Sequence, residues 1–254
     1  MKLMDNQRLQ DGISELKALI AKDEADIGKW SLNYFNNHQK RYLFDLKLIE
    51  KTYSQGKILE IGSAPYHLTF LLKKAGYDVV GVDIDPERQK NFLANAGLDI
   101  FKNNIETEAL PFPDNSVELI IFNEVFEHLR INPIKTLKEI NRVLSPSGKL
   151  ILSTPNLYSL QNIVNLILGK GFDDPYDQFD RLEKIGHMGH VREYTIKQVR
   201  KFLKNTGFIP KQVLLVSHTP LKGMWKLISW KRKVIKGLNT FQVHVAGKAQ
   251  NQSA

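Results

Sequence analysis

The sequence predicts an α/β protein with a doubly wound, mostly parallel sheet of seven strands. Seven short apolar runs follow one another from residue 57 onward, and amphipathic segments of helical length separate most of them. Such alternation indicates β–α–β units, whose right-handed crossovers bring the carboxyl ends of the strands to one rim. With 254 residues, 42% of them hydrophobic, the chain can bury a substantial core. We therefore expect functional residues in the loops along that rim.

The chain before residue 55 has a helical pattern. Ile13, Leu16 and Ile20 recur at helix spacing, and the stretch QKRYLFDLKLIEKTY repeats this period. Residues 1–55 are therefore predicted to form an N-terminal helical cap, and residues 56–254 the α/β domain.

The strands and helices of that domain follow in order. The predicted strands are KILEI, DVVGVDI, DIFKNNI, VELIIFNEV, KLILSTP, KQVLLVS and TFQVHVAG. The predicted helices are LTFLLKKAG, ERQKNFLANAG, PIKTLKEINRVL, which SPSG ends, and TIKQVRKFLKNTG. In the last of them, Thr195 and Gln198 have the spacing of a capping box, and Gly207 marks the end. Residues 157–192 break the alternation and are predicted to be an inserted lid.

The basic charge of the chain is concentrated near its end. Its formal net charge is +9, but residues 211–254 carry eight lysines and arginines and no acid, so the remainder is nearly neutral. At about 100° per residue, residues 221–238 place apolar side chains on one side and most of the basic ones on the other. We consider two interpretations: a basic helix that lies on an anionic membrane or acidic partner, and a helix that packs on the sheet edge.

Composition excludes several kinds of chemistry. The chain has no cysteine, so disulfides, thiolate zinc sites and a cysteine nucleophile are ruled out. The first residues lack the apolar core of a signal peptide, and no apolar run reaches membrane-spanning length. We expect a cytoplasmic protein, with peripheral membrane contact through residues 221–238 left open.

The stretch KILEIGSAPY joins a strand to a turn of nucleotide-binding type, but it has only one of the expected glycines, Gly62. In a dinucleotide site the later glycines let a pyrophosphate approach backbone N–H groups at a helix N-terminus. With Ala64 and Tyr66 in their places, a dehydrogenase is disfavoured. A smaller ligand without phosphates fits better.

Four stretches in order, LEIGSAPY, VVGVDIDPE, LPFPDNSVELIIFNEVFEHL and LSPSGKLILSTPN, resemble the successive motifs of class I S-adenosylmethionine-dependent methyltransferases. The resemblance implies a Rossmann-like methyltransferase fold and S-adenosyl-L-methionine as cofactor. It implies that the turn at Gly62 wraps the methionine portion, that Asp83 accepts hydrogen bonds from the ribose hydroxyls, and that Asn104 lies near the adenine amino group. The full set that we assign to cofactor binding is Glu60, Gly62, Ser63, Ala64, Asp83, Ile84, Asn104, Ile105 and Asn123.

A second group of residues follows the fourth strand. Glu124, Glu127 and His128 form the pattern E-x-x-E-H, which places them on one face of a helical turn, and His187 and His190 lie downstream. With a distant histidine, this pattern resembles the magnesium site of small-RNA 2′-O-methyltransferases, and E-x-x-E-H alone resembles ubiquinone-pathway O-methyltransferases.

Three hypotheses remain open for this group. Glu124, Glu127, His128 and His190 bind Mg²⁺ or another divalent cation; or His128 or His190 acts as the catalytic base; or the residues only cap and pack the helix. The favoured function is O-methylation of a small molecule or of a glycan or lipid-linked precursor. The alternatives are an RNA methyltransferase, which the nearly neutral body of the chain disfavours, and an inactive binding protein with the same fold.

Overall fold

The computed structural model describes residues 6–22, 26–171, 174–185, 189–218 and 236–249. It contains a seven-stranded sheet in the order β3-β2-β1-β4-β5-β7-β6, which confirms the predicted fold class. The strands are β1 (Lys57–Ile61), β2 (Asp78–Asp83), β3 (Ile100–Lys102), β4 (Val117–Asn123), β5 (Leu144–Pro155), β6 (Phe208–Val216) and β7 (Phe241–Lys248). The helices are α1 (Asn6–Ala21), α2 (Asp26–Thr52), α3 (His67–Lys74), α4 (Lys90–Ala96), α5 (Pro133–Val143), α6 (Leu160–Ile167), α7 (Pro175–Ile185) and α8 (Ile196–Asn205).

The chain divides into two compact units. The first comprises Met1–Ile121 and Arg142–Lys149, and the second comprises Phe122–Asn141 and Leu150–Ala254. The predicted boundary between residues 55 and 56 falls inside the first unit and stays a prediction.

In the first unit, parallel pairing brings the ends of three strands together. β1 pairs with both β2 and β4, and β2 pairs with β3, all in parallel. The register places Ile61 beside Val82, and Asp83 beside Lys102. The residues that follow β1, β2 and β3 therefore start from one edge of the sheet, where ligands bind in α/β proteins.

The two N-terminal helices belong to the same unit, and α2 is tied to the start of α3 by buried polar contacts. The His67 ring is hydrogen-bonded to the Ser31 hydroxyl at 2.8 Å and to the Tyr42 hydroxyl at 3.2 Å. Burial lowers the pKa of His67 to about 3, so the ring is neutral at physiological pH. A neutral imidazole can both donate and accept, which matches the two hydroxyl partners.

In the second unit, β6 pairs with β7 in antiparallel orientation. The rings of Phe126, Tyr194 and Phe202 pack together with centroid separations of 4.6–5.8 Å. α8 begins with the predicted capping box: the Thr195 side chain accepts from the Gln198 N–H, and the Gln198 side chain accepts from the Thr195 N–H. This satisfies two N–H groups near the start of the helix.

One predicted strand boundary is wrong. α5 ends at Val143, beside the SPSG stretch as predicted, but the following strand begins at Leu144 instead of Lys149, so SPSG lies inside β5. The hydroxyls of Ser145 and Ser147 donate to Glu118 Oε2 of β4 at 2.7 and 3.3 Å. These side-chain bonds support an extended conformation at residues whose local preference is for turns.

The segment predicted to be a lid contains α6 and α7, and its limits at residues 157 and 192 stay a prediction. Most of the predicted basic helix, residues 221–235, lies outside the described residues, and Lys236–Leu238 form a short 3₁₀ turn. Among the described helices, none is long and apolar enough to cross a bilayer.

Gly81 of β2 is packed too closely to accept a side chain. A Cβ atom there would lie 2.7 Å from Ser63 Oγ and would also strike the Ile100 side chain. We expect Gly81→Ala to lower the free energy of unfolding by about 1–3 kcal/mol, because the turn that carries Ser63 must shift. Denaturant unfolding measures this. Gly12→Ala on α1 is the control, since its nearest contact would be an ordinary 3.6 Å. Equal stability of the two variants would contradict the prediction.

Candidate active site

The turn after β1, residues 62–66, is held tightly against β2, and we call it the cofactor turn. The backbone N–H groups of Gly62 and Ser63 both donate to Val82 O, at 2.8 and 3.1 Å. Gly62 has a φ of 70°, and Tyr66, buried to 1% exposure, has a φ of 66°. Tyr66 thus adopts a left-handed conformation that costs a non-glycine residue about 1–2 kcal/mol. Tyr66 therefore has the backbone conformation that the missing glycine would have, but its side chain is much larger.

Asp83, at the end of β2, orders the cofactor turn with its carboxylate. Its Oδ2 accepts from the Ala64 N–H at 3.0 Å, and its Oδ1 accepts from the Asp85 N–H at 3.1 Å. Each carboxylate oxygen has two lone pairs, so both retain the capacity to accept from a ribose hydroxyl. Ile84, the next residue, is 60% exposed and offers an apolar surface beside the carboxylate.

After β3, the structure points to Asn103 as a further candidate cofactor residue, which the sequence analysis did not assign. Asn104 Oδ1 accepts from the Glu106 N–H at 3.1 Å, within its own loop, which also contains the half-buried Ile105. The buried neighbour Asn103 donates its N–H to Asp83 O at 2.9 Å and its Nδ2 to Ala109 O at 2.8 Å. Asn103 Oδ1 has no hydrogen-bond partner among the described residues. The doubled asparagine in KNNIE was the only signal, and it did not say which amide is buried.

Glu60 of β1 is buried at 7% exposure and accepts a hydrogen bond from the Thr69 hydroxyl. The pKa of Glu60 is raised to about 8, mainly by burial and also by nearby Asp45, although the Thr69 hydrogen bond and Arg41 act in the opposite direction. A carboxyl group of this kind can take up or release a proton near neutral pH when a charged ligand arrives.

Glu124 and Glu127, in the second unit, lie in different environments. Glu124 has a φ of 57°, and its Oε1 accepts from the Ser153 hydroxyl at 2.6 Å. Glu127 is 1% exposed and lies in the short 3₁₀ helix Phe126–His128, so the helical turn is shorter than the sequence suggested. Glu127 Oε2 accepts from the Thr154 hydroxyl at 3.0 Å, whereas Oε1 has no partner among the described residues. Burial, and then the negative charges of Glu124 and Glu193, raise the pKa of Glu127.

Two histidines accompany Glu127. Glu127, His128 and His190 each offer one ligand atom, and these atoms lie within 4.8 Å of one another; we call these residues the Glu127 cluster. His128 donates its Nδ1–H to Gly189 O at 2.9 Å, so its lone pair is on Nε2. The centroids of the two imidazole rings are 5.2 Å apart. Glu124, the fourth predicted ligand, is not part of the cluster, and His187 lies outside the described residues.

Asn123, at the end of β4 in the second unit, was also assigned to cofactor binding. Its Oδ1 is buried and has no hydrogen-bond partner in the described part of the chain. Like Asn103 Oδ1, it is an acceptor that a bound ligand would satisfy, since buried polar atoms of native proteins are usually paired.

The comparisons with known proteins identify the family. A family model described as a methyltransferase domain matches residues 34–212, so the chain belongs to that family. A Mycolicibacterium smegmatis protein named as a probable S-adenosylmethionine-dependent methyltransferase is 28% identical over 162 residues, which are 63% of this chain and 55% of the relative. The chain thus spans about half the length of that relative.

Two further comparisons also match methyltransferases. The mitochondrial ubiquinone biosynthesis O-methyltransferase of Schizosaccharomyces pombe is 23% identical over 210 residues, which are 80% of this chain and 73% of the relative. A solved S-adenosylmethionine-dependent methyltransferase from Thermotoga maritima has the same fold, with a TM-score of 0.60 at 18% identity over 92% of this chain and all of that one. The chain therefore belongs to the methyltransferase domain family, and its fold is that of S-adenosylmethionine-dependent methyltransferases.

The residues of the first unit fit this cofactor. The Asp83 carboxylate can accept from both ribose hydroxyls, Asn103 Oδ1 is an acceptor suited to an amino group, and Glu60 is suited to the methionine ammonium group. The bulk of Tyr66 is compatible with a ligand that has no phosphate. The individual roles of these residues remain predictions.

Proposed function

We propose that the protein transfers the methyl group of S-adenosylmethionine to a hydroxyl group of a small molecule or of a glycan or lipid-linked precursor. We further propose that the Glu127 cluster activates that hydroxyl. The observation that carries the proposal is Glu127 Oε1, a buried carboxylate oxygen without a partner among the described residues, within a cluster that includes two imidazoles.

The chemistry explains why such a cluster is useful. The bound cofactor supplies a methyl group on a positively charged sulfur, which is already an activated leaving group. As the acceptor oxygen forms its bond to the methyl carbon, the carbon–sulfur bond breaks, S-adenosylhomocysteine leaves and the hydroxyl proton must go to a base. Because aliphatic hydroxyls titrate far above neutral pH, the protein has to align the acceptor and assist this proton loss.

The cluster can assist in two ways. A histidine titrates near neutral pH and can take the proton, and the His128 tautomer presents a basic Nε2. Alternatively, one carboxylate and two imidazoles are a ligand set for a borderline or hard divalent cation such as Zn²⁺, Mn²⁺ or Mg²⁺. A cation at Glu127, His128 and His190 would lower the pKa of the acceptor hydroxyl. If it is bound through Glu127 Oε1, the cation would also give that atom a partner, which favours this version.

Three observations support the proposed class of acceptor. The fission-yeast relative is named an O-methyltransferase, and the Glu127 cluster suits an oxygen acceptor. Residues 221–238 carry six lysines and arginines and no acid, which favours contact with an anionic membrane and thus a lipid-linked acceptor.

We expect wild-type protein to bind one divalent cation and Glu127→Gln to bind it at least 10-fold more weakly, because the amide removes the ligand charge at unchanged size. Calorimetric titration with Mn²⁺ and Zn²⁺ measures this without an acceptor. Glu183→Gln is the control, because Glu183 is an exposed carboxylate on α7 of the same unit. It should bind like wild type.

Turnover to S-adenosylhomocysteine with a pool of cellular metabolites then tests the function. If activity survives exhaustive chelation and is unchanged in Glu127→Gln but falls in His128→Ala or His190→Ala, the metal is rejected and the base is retained. Cofactor binding without turnover of any hydroxyl compound would count against O-methylation.

A further inference from the structure

We propose that Glu193 is the positioning residue for His190, and that Asn162 of α6 holds Glu193 in place. The consequence for methyl transfer rests on the proposed role of the Glu127 cluster. The placement of the His190 ring can be tested without that role.

The two oxygens of the Glu193 carboxylate face different partners. Oε1 lies 3.6 Å from His190 Nδ1, an ion-pair distance. Oε2 accepts from Asn162 Nδ2 at 2.5 Å. The Glu193 side chain is 14% exposed, against 35% for His190, so the carboxylate is largely withdrawn from water. A partly desolvated carboxylate interacts more strongly with a neighbouring imidazole than one at the surface.

Asn162 is itself fixed, so it can hold the carboxylate. Its N–H donates to Ser159 Oγ, the N-cap of α6, at 3.3 Å. Its Nδ2 also lies 3.2 Å from Leu157 O. Asn162 therefore connects Glu193 to the first turn of α6 and to the loop that follows β5.

The backbone around His190 is anchored as well. We call residues 189–194 the strap. The N–H groups of Val191 and Arg192 both donate to Glu127 O, at 2.9 and 3.2 Å, and the Leu157 N–H donates to Tyr194 O at 3.1 Å. The backbone after His190 is therefore anchored, and Gly189 before it accepts from the His128 ring, so Glu193 is placed to restrict rotation of the His190 ring.

Each of the two histidine rings has an oxygen atom of the strap on its Nδ1 side. His128 Nδ1 faces Gly189 O, and His190 Nδ1 faces Glu193 Oε1, so an acceptor oxygen lies on the Nδ1 side of both rings. An oxygen there favours the tautomer with the proton on Nδ1 and the lone pair on Nε2. By electrostatic attraction at 3.6 Å, Glu193 thus favours for His190 the tautomer that the 2.9 Å hydrogen bond to Gly189 O fixes for His128. Carboxylates often orient metal-bound or catalytic histidines in this way.

The tautomer is the direct readout. We expect ¹⁵N spectra of metal-free protein near pH 8 to show His190 protonated on Nδ1, with its signals assigned by their loss in His190→Gln. In Glu193→Ala the ring should become a mixture of tautomers. Glu193→Gln should be intermediate, because one amide oxygen has to serve both His190 and Asn162. Glu183→Ala is the control and should leave the spectrum unchanged.

Two outcomes overturn the proposal: a wild-type His190 protonated on Nε2, or an Nδ1 proton that persists in Glu193→Ala. Should Glu193→Ala not fold, Asn162→Ala tests the same arrangement, and an unchanged His190 tautomer there contradicts the anchoring role of Asn162.

A second measurement separates this proposal from the function on which it rests. If wild-type protein binds Mn²⁺ or Zn²⁺, Glu193→Ala should weaken that binding about 10- to 100-fold, whereas Glu183→Ala should not. Unchanged affinity would refute a positioning role for a metal ligand. If wild-type protein binds neither ion, the metal version of the proposed function fails, and the tautomer experiment still decides the role of Glu193.

Discussion

Asp83→Ala is expected to abolish measurable binding of S-adenosylmethionine and S-adenosylhomocysteine. The carboxylate is predicted to accept from both ribose hydroxyls, and it also receives the N–H of Ala64 in the cofactor turn. Hydrogen bonds to a charged group contribute about 1.5–3 kcal/mol each, so losing two should weaken affinity by roughly 10²-fold to 10⁴-fold. Loosening of the turn adds to this loss.

Calorimetric titration with S-adenosylhomocysteine measures the effect, and thermal unfolding checks that the variant is folded. Asp78→Ala is the matched control, because Asp78 begins the same strand and its carboxylate pairs with Lys57 at 3.0 Å. A folded Asp83→Ala variant with wild-type affinity would remove Asp83 from the cofactor site. Wild-type protein that binds neither compound would instead support the alternative of an inactive protein with this fold.

Glu60→Gln is expected to remove a pH dependence of stability that wild-type protein shows between about pH 4.5 and 8. The pKa of the buried carboxyl group is about 8, against a usual value of 4.5. Within this range the folded protein keeps a proton that the unfolded chain releases, so the free energy of unfolding falls as pH rises. The contribution is complete below pH 4.5, is lost by pH 8, and amounts to a few kcal/mol.

Denaturant unfolding of cofactor-free protein at several pH values measures this slope, and the difference between wild type and Glu60→Gln isolates Glu60 from every other titrating group. Glu50→Gln on α2, where the carboxylate is exposed, is the control and should keep the wild-type slope. Parallel curves for wild type and Glu60→Gln would show that Glu60 is ionised throughout.

The elements that could be predicted from sequence have their signal in neighbouring residues. KILEI and DVVGVDI are apolar runs of strand length, and the structure has β1 and β2 there. Thr195 and Gln198 are three residues apart, and their capping box is present. Periodicity and capping act within one or two turns of chain, so the local sequence contains them.

The features that were missed depend on contacts between distant residues. Which of two adjacent asparagines is buried depends on the register of β3 with β2, and the extension of β5 through SPSG depends on Glu118 of β4. The positioning role proposed for Glu193 depends on Asn162 and His190, which are distant in sequence but contact its carboxylate. No period or motif of a single sequence specifies such pairings.

The hydrogen bonds of the strap have a consequence for how the Glu127 cluster opens. Val191 and Arg192 share one acceptor, Glu127 O, and Gly189 O in the same strap receives the His128 ring. A local opening that detaches the strap from Glu127 O is therefore expected to carry His190 away and, in the same event, to remove the Gly189 oxygen that His128 Nδ1 contacts. Assembly of the Glu127 cluster is then coupled to closure of the strap.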